Sequence, residues 1–147
     1  WSTISCSGGT LRCGATVQLL DLEITGNASV ETRSAVSSYI TREGGQATHI
    51  GSGNITTLEL GGGVFTIQGT AAITITTLNG YGGRTLDLTT CDHSVTVTNM
   101  NVYATPSSPF TIRDPNNVLV MTNAAATQNG AQSLVVITGT DRTVKIA

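Results

Sequence analysis

Two stretches of the sequence carry side chains that could bind a ligand. In NGYGG (79–83), the Asn-Gly and Gly-Gly pairs predict a sharp exposed turn with a tyrosine at its centre. In NVYATPSSPF (101–110), two prolines predict a long irregular loop, and such loops on a rigid scaffold often carry recognition. An exposed tyrosine can stack on a sugar ring while its hydroxyl group forms hydrogen bonds; the alternative is that it covers the end of the core. We expect four residues to contact a binding partner: Asn79, Tyr81, Tyr103 and Phe110.

Pairs of acidic residues could hydrolyse a glycan, because that reaction needs two carboxyl groups on either side of the scissile bond. The candidate pairs are Asp87 with Asp92 and Asp21 with Glu23. Outward acidic side chains on an otherwise uncharged strand surface more often confer solubility, and no serine lies in a Gly-x-Ser-x-Gly motif. We therefore expect no enzymatic activity.

The cysteines and histidines do not form a recognisable metal-binding pattern. Cys91, Asp92 and His93 are adjacent, but the only other histidine is His49, so the spacing of a metal site is missing. We expect a turn at this position, with no metal and no cofactor. Cys6 and Cys13 bracket a possible Gly-Gly turn, and a disulfide there would close a loop of about 8 residues and contribute ~2.5 kcal/mol. The alternative is two ordinary small residues.

The composition indicates β-structure and excludes two classes of partner. Charged residues make up 11% of the chain, against a usual ~25%, and there are 26 threonines, whose branched side chains suit strands. The net charge is −2 with a single lysine, so we expect no nucleic-acid binding. No apolar run reaches the length of a membrane-spanning helix, so we expect no membrane insertion.

Alternating apolar and polar residues predict strands through most of the chain. The alternation begins within 17–24 and continues from residue 50 onwards, whereas the continuous apolar runs 118–122 and 134–138 predict strands covered on both faces. Between residues 27 and 45, five apolar residues lie near helical spacing and predict one short helix: Val30, Ala35, Val36, Tyr39 and Ile40. The alternative is a strand that uses Val30, Thr32, Ser34 and Val36.

A loose internal repeat predicts the architecture. ITTL occurs at 55–58 and again at 75–78, and related strands follow at offsets of about 20 residues, which is typical of a β-solenoid or a regular stack of sheets. Such a fold has open edges, which a threefold axis could cover. We expect an all-β protein, either a β-helix-like solenoid or a stacked-sheet fibre. Its predicted parts are a connecting and assembly segment at 1–49, containing the helix, and a β-rich domain at 50–147.

The segment 61–99 resembles the distal β-rich domains of tail fibres and spikes of tailed bacteriophages. The resemblance covers short elements: Phe65–Ile67, Gly69-Thr70, Ile73–Leu78, Gly83-Arg84, Leu86–Leu88 and Val95–Asn99. It implies a homotrimeric virion fibre or spike that contacts other virion proteins. It also implies attachment to a host-surface glycan or protein, at the virion surface or outside the cell.

Two other functions remain open from the sequence. One is a structural filament or capsid-decoration subunit without a receptor of its own, which would associate through the edge of the apolar strand within 17–24. The other is an ice-binding solenoid, suggested by the Thr-x-Thr strands at 74–76 and 96–98.

Overall fold

The alternating strands form two parallel sheets that wind as a β-solenoid of about six turns. A computed structural model describes residues 2–16, 19–69, 71–126, 133–138 and 143–146. Each turn of the solenoid contributes one strand to each sheet, so the chain alternates between them. The predicted solenoid is therefore confirmed, and the stacked parallel strands are its repeating unit.

The first sheet has seven parallel strands and the second has eight, of which the last is antiparallel to its neighbour. In spatial order, the first sheet consists of β1 (Ser2–Cys6), β3 (Leu19–Ile24), β5 (Val36–Arg42), β7 (Ile55–Gly61), β9 (Ile73–Tyr81), β11 (Val95–Tyr103) and β13 (Leu119–Ala126). The second consists of β2 (Thr10–Cys13), β4 (Ser29–Thr32), β6 (Gln46–His49), β8 (Val64–Ile67), β10 (Thr85–Asp87), β12 (Phe110–Arg113), β14 (Ser133–Thr138) and β15 (Thr143–Ile146).

The predicted helix between residues 27 and 45 is wrong. This segment forms β4 and β5, and the residues that the structure describes contain no helix, hence none that could span a membrane. The strand alternative is closer, because its four residues are buried: Val30, Thr32, Ser34 and Val36. Neighbouring turns of the solenoid supply hydrogen-bond partners on both sides of β4 and β5, which outweighs a weak local helical pattern.

The core between the sheets is built mostly from aliphatic side chains stacked in columns. Leu22, Leu58, Leu78 and Met100 occupy one register position on successive strands of the first sheet, and Tyr39 completes that column. Full burial of each such side chain contributes roughly 1.5–3 kcal/mol.

The prediction that the strand at 118–122 is covered on both faces is wrong, because Val120 is 50% exposed.

The repeated ITTL motif departs from strict alternation. Its Ile and Leu are buried and its two threonines lie outside, in both 55–58 and 75–78. The ladder pairs Ile55 with Ile75 and Thr57 with Thr77 and skips the residue between them on each strand. The same unpaired position recurs in the neighbouring ladders. The second outward position forms a column along the sheet, made of the register partners Ser38, Thr57, Thr77 and Asn99.

The turns of the solenoid lengthen along the chain while the strand register is kept. The register pairs Leu19 with Val36 near the start of the chain and Val97 with Met121 near its end, so the later turn contains more residues.

At the corner between the sheets, Gly63 has a φ of 41°, and a Cβ there would collide with the carbonyl oxygen of Gly45 in the preceding turn.

Both sheets continue without a break across the predicted boundary at residues 49 and 50. β6 ends at His49 and pairs with β4 on one side and β8 on the other. The role of 1–49 in assembly stays a prediction.

Candidate functional site

A pair of stacked tyrosines lies on the outer face of the first sheet. Tyr81 ends β9 and Tyr103 ends β11, and the two residues are partners in the parallel ladder. Their ring centroids are 4.9 Å apart and their planes differ by 18°. Tyr103 is 36% exposed, so the pair offers aromatic surface to solvent. The structure thus brings together two of the predicted binding residues from separate stretches of sequence.

The predicted turn at 79–83 is shorter than expected. Asn79 and Tyr81 belong to β9, and only Gly82 and Gly83 form the turn. The amide of Gly82 donates to the carbonyl oxygen of Tyr103 at 3.0 Å, and the amide of Gly83 donates to that of Pro109 at 2.9 Å. Tyr81 is therefore held by a regular strand and by backbone hydrogen bonds to the next turn of the solenoid.

Two parallel rows of residues run across the strands at this position. The polar row consists of Glu59, Asn79 and Asn101, which are register partners on β7, β9 and β11. The Asn101 amide donates to Oδ1 of Asn79 at 2.9 Å. The aromatic row lies two residues further along the same strands and consists of Gly61, Tyr81 and Tyr103. The predicted residue Asn79 therefore lies beside the tyrosines.

An open cleft, which we call the Tyr81 cleft, lies where these two rows meet the turns. It has a volume of about 410 Å³ and is lined by Glu43, Glu59, Gly61, Tyr81, Gly82 and Arg84. Glycine at position 61 contributes no side chain at the register position next to Tyr81. The Nε atom of Arg84 is buried, and the part of the chain that the structure describes offers it no hydrogen-bond partner. The cleft combines an aromatic ring, two carboxyl groups and a guanidinium group, as polar-ligand sites commonly do.

Phe110 is a core residue. Its side chain is fully buried, and a Cβ on Gly80 would collide with its ring. Phe110 alternates with Ile112 on β12 and points inward with it. Of the predicted loop 101–110, residues up to Tyr103 belong to β11, and Thr105–Ser108 form a tight turn. Phe110 is therefore unavailable to a partner outside the folded chain.

The core between the two sheets contains a second group of polar side chains: Thr32 and His49 from the second sheet and Tyr39 from the first. Nε2 of His49 lies 3.0 Å from the carbonyl oxygen of Gly53, which can only accept, so this nitrogen carries a proton. The Tyr39 hydroxyl group then donates to Nδ1 of His49 at 3.0 Å and accepts a short hydrogen bond from Thr32. Burial lowers the pKa of His49 and raises the pKa of Tyr39, so both groups are neutral.

The cysteines carry free thiol groups in the structure. Cys6 donates to the carbonyl oxygen of Gly8 at 3.6 Å. Burial, and then the nearby Cys6 thiol, raises the pKa of Cys13. The disulfide between Cys6 and Cys13 stays a prediction.

The adjacent residues Cys91, Asp92 and His93 belong to a compact turn. The buried Cys91 thiol donates to the carbonyl oxygen of His93 at 3.3 Å, and the Asn116 amide donates to the carbonyl oxygen of Cys91 at 2.8 Å. Within the described ranges, no group of three potential metal ligands occurs. The contacts of this turn are those of a structural element.

The carboxyl groups considered for catalysis lie in different surroundings. Asp21 and Glu23 share the outer face of β3, as the alternation predicts. Burial alone would raise the pKa of Asp87, but hydrogen bonds from Thr89 and the charge of Arg113 outweigh it, so its pKa is below the ordinary value. Asp92 pairs with the imidazole of His93 at 3.3 Å. Asp87 and Asp92 thus each have a local partner.

Three side chains of the Tyr81 cleft were not among the residues predicted from the sequence: Glu43, Glu59 and Arg84. The position of Glu59 in the cleft could have been predicted from the ITTL repeat. Aligning its two copies places Glu59 beside Asn79, as the ladder does, and position 61 beside Tyr81, with which Gly61 lines the cleft. Glu43 and Arg84 follow the ends of their strands, where turns of unequal length prevent this alignment.

No protein-family model, curated protein or solved structure matches the chain.

Proposed function

We propose that this solenoid is part of a virion fibre or spike that attaches to a glycan or protein of the host surface through the Tyr81 cleft. The observation that carries the proposal is the stacked pair Tyr81–Tyr103, presented on the outer face of a sheet beside a cleft with charged groups. Aromatic side chains with a polar group are enriched where proteins meet their partners.

The scaffold suits attachment because it holds these side chains in fixed positions. Tyr81 and Tyr103 belong to strands with ladder partners on both sides, so presenting the tyrosines costs little conformational entropy on binding. The resemblance of 61–99 to bacteriophage fibre and spike domains supports the assignment to a virion appendage. The same resemblance supports a homotrimer and a location at the virion surface.

An adsorption experiment tests the attachment. The fluorescently labelled full chain is incubated with a panel of bacterial strains, together with Tyr81→Ala and with Thr111→Ala, an outward substitution on β12 of the second sheet. We expect adsorption to at least one strain, which Tyr81→Ala abolishes and Thr111→Ala preserves. Adsorption that Tyr81→Ala leaves unchanged would contradict attachment through this cleft.

The oligomeric state is a separate test of the trimer. Sedimentation equilibrium of the full chain should give three times the mass of one chain. A monomer at all concentrations would contradict the trimer without deciding whether the cleft binds a receptor.

A structural filament or decoration subunit without a receptor is the second candidate. The predicted contact edge within 17–24 is not available, because β3 pairs with β1 on one side and with β5 on the other. One observation still favours this candidate: among the described strands, β1 and β2 are the outermost of their sheets and form an edge of each. Such edges can pair with strands of another chain. The substitution Thr3→Lys in β1 should prevent polymerisation if this edge is the contact, and polymerisation that continues unchanged would count against it.

A further inference from the structure

We infer that the Tyr81 cleft binds a neutral pyranose ring of a glycan, with the sugar stacked on the ring of Tyr81. This inference rests on the proposed attachment function and specifies the chemistry of its ligand. The cleft volume of about 410 Å³ lies within the range of roughly 300–1,000 Å³ that is usual for small-ligand sites.

The aromatic row supplies the apolar contact. One face of a pyranose ring presents several C–H groups, which carry a small positive charge and complement the negative face of an aromatic ring. Tyr81 is supported from the side of β11 by Tyr103, with the two rings nearly parallel at 4.9 Å. On the side of β7, position 61 has no side chain, and the backbone of Gly61 lines the cleft together with Tyr81. The ring of Tyr81 is therefore placed as a stacking platform.

The polar groups of the cleft match the hydroxyl groups of a sugar. A hydroxyl group both donates and accepts hydrogen bonds, so it can donate to a carboxylate and accept from a guanidinium group. Glu43 and Glu59 supply carboxylates, and Arg84 supplies the guanidinium group. The Nε atom of Arg84 is buried and has no hydrogen-bond partner among the described residues.

The charge of the lining argues for a neutral sugar over an acidic one. Two of the lining residues are acidic and one is basic, so a uronate or another acidic sugar would bring a further negative charge beside two carboxylates. The neighbouring polar row offers only the uncharged amides of Asn79 and Asn101 beyond Glu59. A glycan chain that continues along the solenoid would therefore meet further hydrogen-bonding groups without a new charge.

Calorimetric titration of the full chain tests the inference. The probes are neutral hexasaccharides built from glucose, galactose and mannose, each compared with an oligogalacturonate of the same length. We expect at least one neutral probe to bind, and the oligogalacturonate to bind about tenfold more weakly or not at all. If no neutral probe binds, or if the oligogalacturonate binds equally well, the inference is overturned.

Variants separate stacking from folding. Tyr81→Ala should lower the affinity for the neutral probe about tenfold or more, whereas Thr111→Ala on the opposite sheet should leave it unchanged. Gly61→Phe places a ring beside Tyr81 and should also abolish binding, while circular dichroism confirms that both variants fold. Binding that survives both substitutions would overturn the stacking site.

The attachment function and the glycan can fail separately. If the chain adsorbs to cells through Tyr81 but no neutral oligosaccharide binds or competes, the receptor has another chemistry and only the glycan inference fails. If the neutral probe binds but adsorption is absent, the sugar site stands and the attachment function fails.

Discussion

Tyr39 and Tyr81 lie two strands apart in the same sheet, and they differ in which side of it they occupy. Tyr39 on β5 is fully buried, forms hydrogen bonds with Thr32 and His49, and packs edge-on against Phe65 with ring centroids 4.9 Å apart. Tyr81 on β9 faces outward, stacks on Tyr103 and lines the cleft. The inner tyrosine is tied into the fold, whereas the outer one faces an open cleft.

This difference shows how a solenoid separates stability from recognition. The inner column is closed by neighbours in the turns before and after it, so each side chain there is fixed by packing. The outer rows need only the strand register to align them. Substitutions at the two tyrosines should therefore affect different measurements, and the sizes of these effects test the distinction.

The largest effect is expected from Tyr39→Ala. It removes a fully buried ring and leaves His49 and Thr32 without their common partner, and it should lower the free energy of unfolding by about 3–5 kcal/mol. Tyr81→Ala should lower it by no more than about 1 kcal/mol, because much of its loss is surface stacking. Urea denaturation followed by circular dichroism measures both. Equal losses would show that Tyr81 is also a structural residue.

A smaller effect is expected when only the hydroxyl group of Tyr39 is removed. Tyr39→Phe keeps the packing against Phe65 but removes the donor at 3.0 Å from Nδ1 of His49 and leaves only the longer contact of 3.4 Å to the Thr32 hydroxyl group, which should cost about 1–3 kcal/mol. The matched variant Tyr103→Phe at the surface should change stability by less than about 0.5 kcal/mol. If the two variants lose the same amount, the buried hydrogen bonds contribute nothing beyond packing.

The buried imidazole predicts a dependence of stability on pH. Burial lowers the pKa of His49 in the folded chain, so the unfolded chain binds more protons and stability falls as the pH drops below about 6.5. The slope should approach ~1.4 kcal/mol per pH unit between about pH 6 and the lowered pKa. Denaturation midpoints from pH 7.5 to 5.5 measure the slope. In His49→Asn it should be absent over this range, and a slope that persists there would assign it to another group.

The smallest effect is expected from Tyr103→Ala, on the outer face. Loss of the ring that supports Tyr81 should weaken binding of a neutral oligosaccharide by roughly 0.5–1.5 kcal/mol, less than the loss of Tyr81 itself. Calorimetric titration compares the two variants. A larger loss from Tyr103→Ala would make Tyr103 the direct contact and Tyr81 its support.

The repeating part of the fold could be predicted from the sequence because apolar residues recur in it at the spacing of the repeat. The two copies of ITTL, at 55–58 and 75–78, set the register that pairs Ile55 with Ile75. The segment 27–45 was misassigned because Val30, Val36 and Tyr39 happen to fit a helical spacing. What makes them strands is the pair of neighbouring turns on either side, which no local pattern contains.

The site could be predicted only where strand register determines it. Tyr81 and Tyr103 were recognised as aromatic residues in polar surroundings, yet their stacking depends on the length of the turn of the solenoid that joins their strands. Phe110 was assigned to the surface because it follows two prolines, although its alternation with Ile112 places it in the core. Glu43 and Arg84 reach the cleft from the loops that connect the two sheets. The paths of these loops depend on how the neighbouring turns of the solenoid pack.

The turns of the solenoid contain more residues towards the end of the chain. The turn between Leu19 and Val36 is shorter than the turn between Val97 and Met121, so the solenoid widens along its axis. The extra residues enter partly at the corners and partly as longer strands of the first sheet, while the inward positions of each strand stay aligned with those before them. Closing a longer loop costs little additional entropy. Each turn of the solenoid can therefore acquire new surface by insertion at its corner, independently of its neighbours, and such a molecule can change what it recognises without changing how it folds.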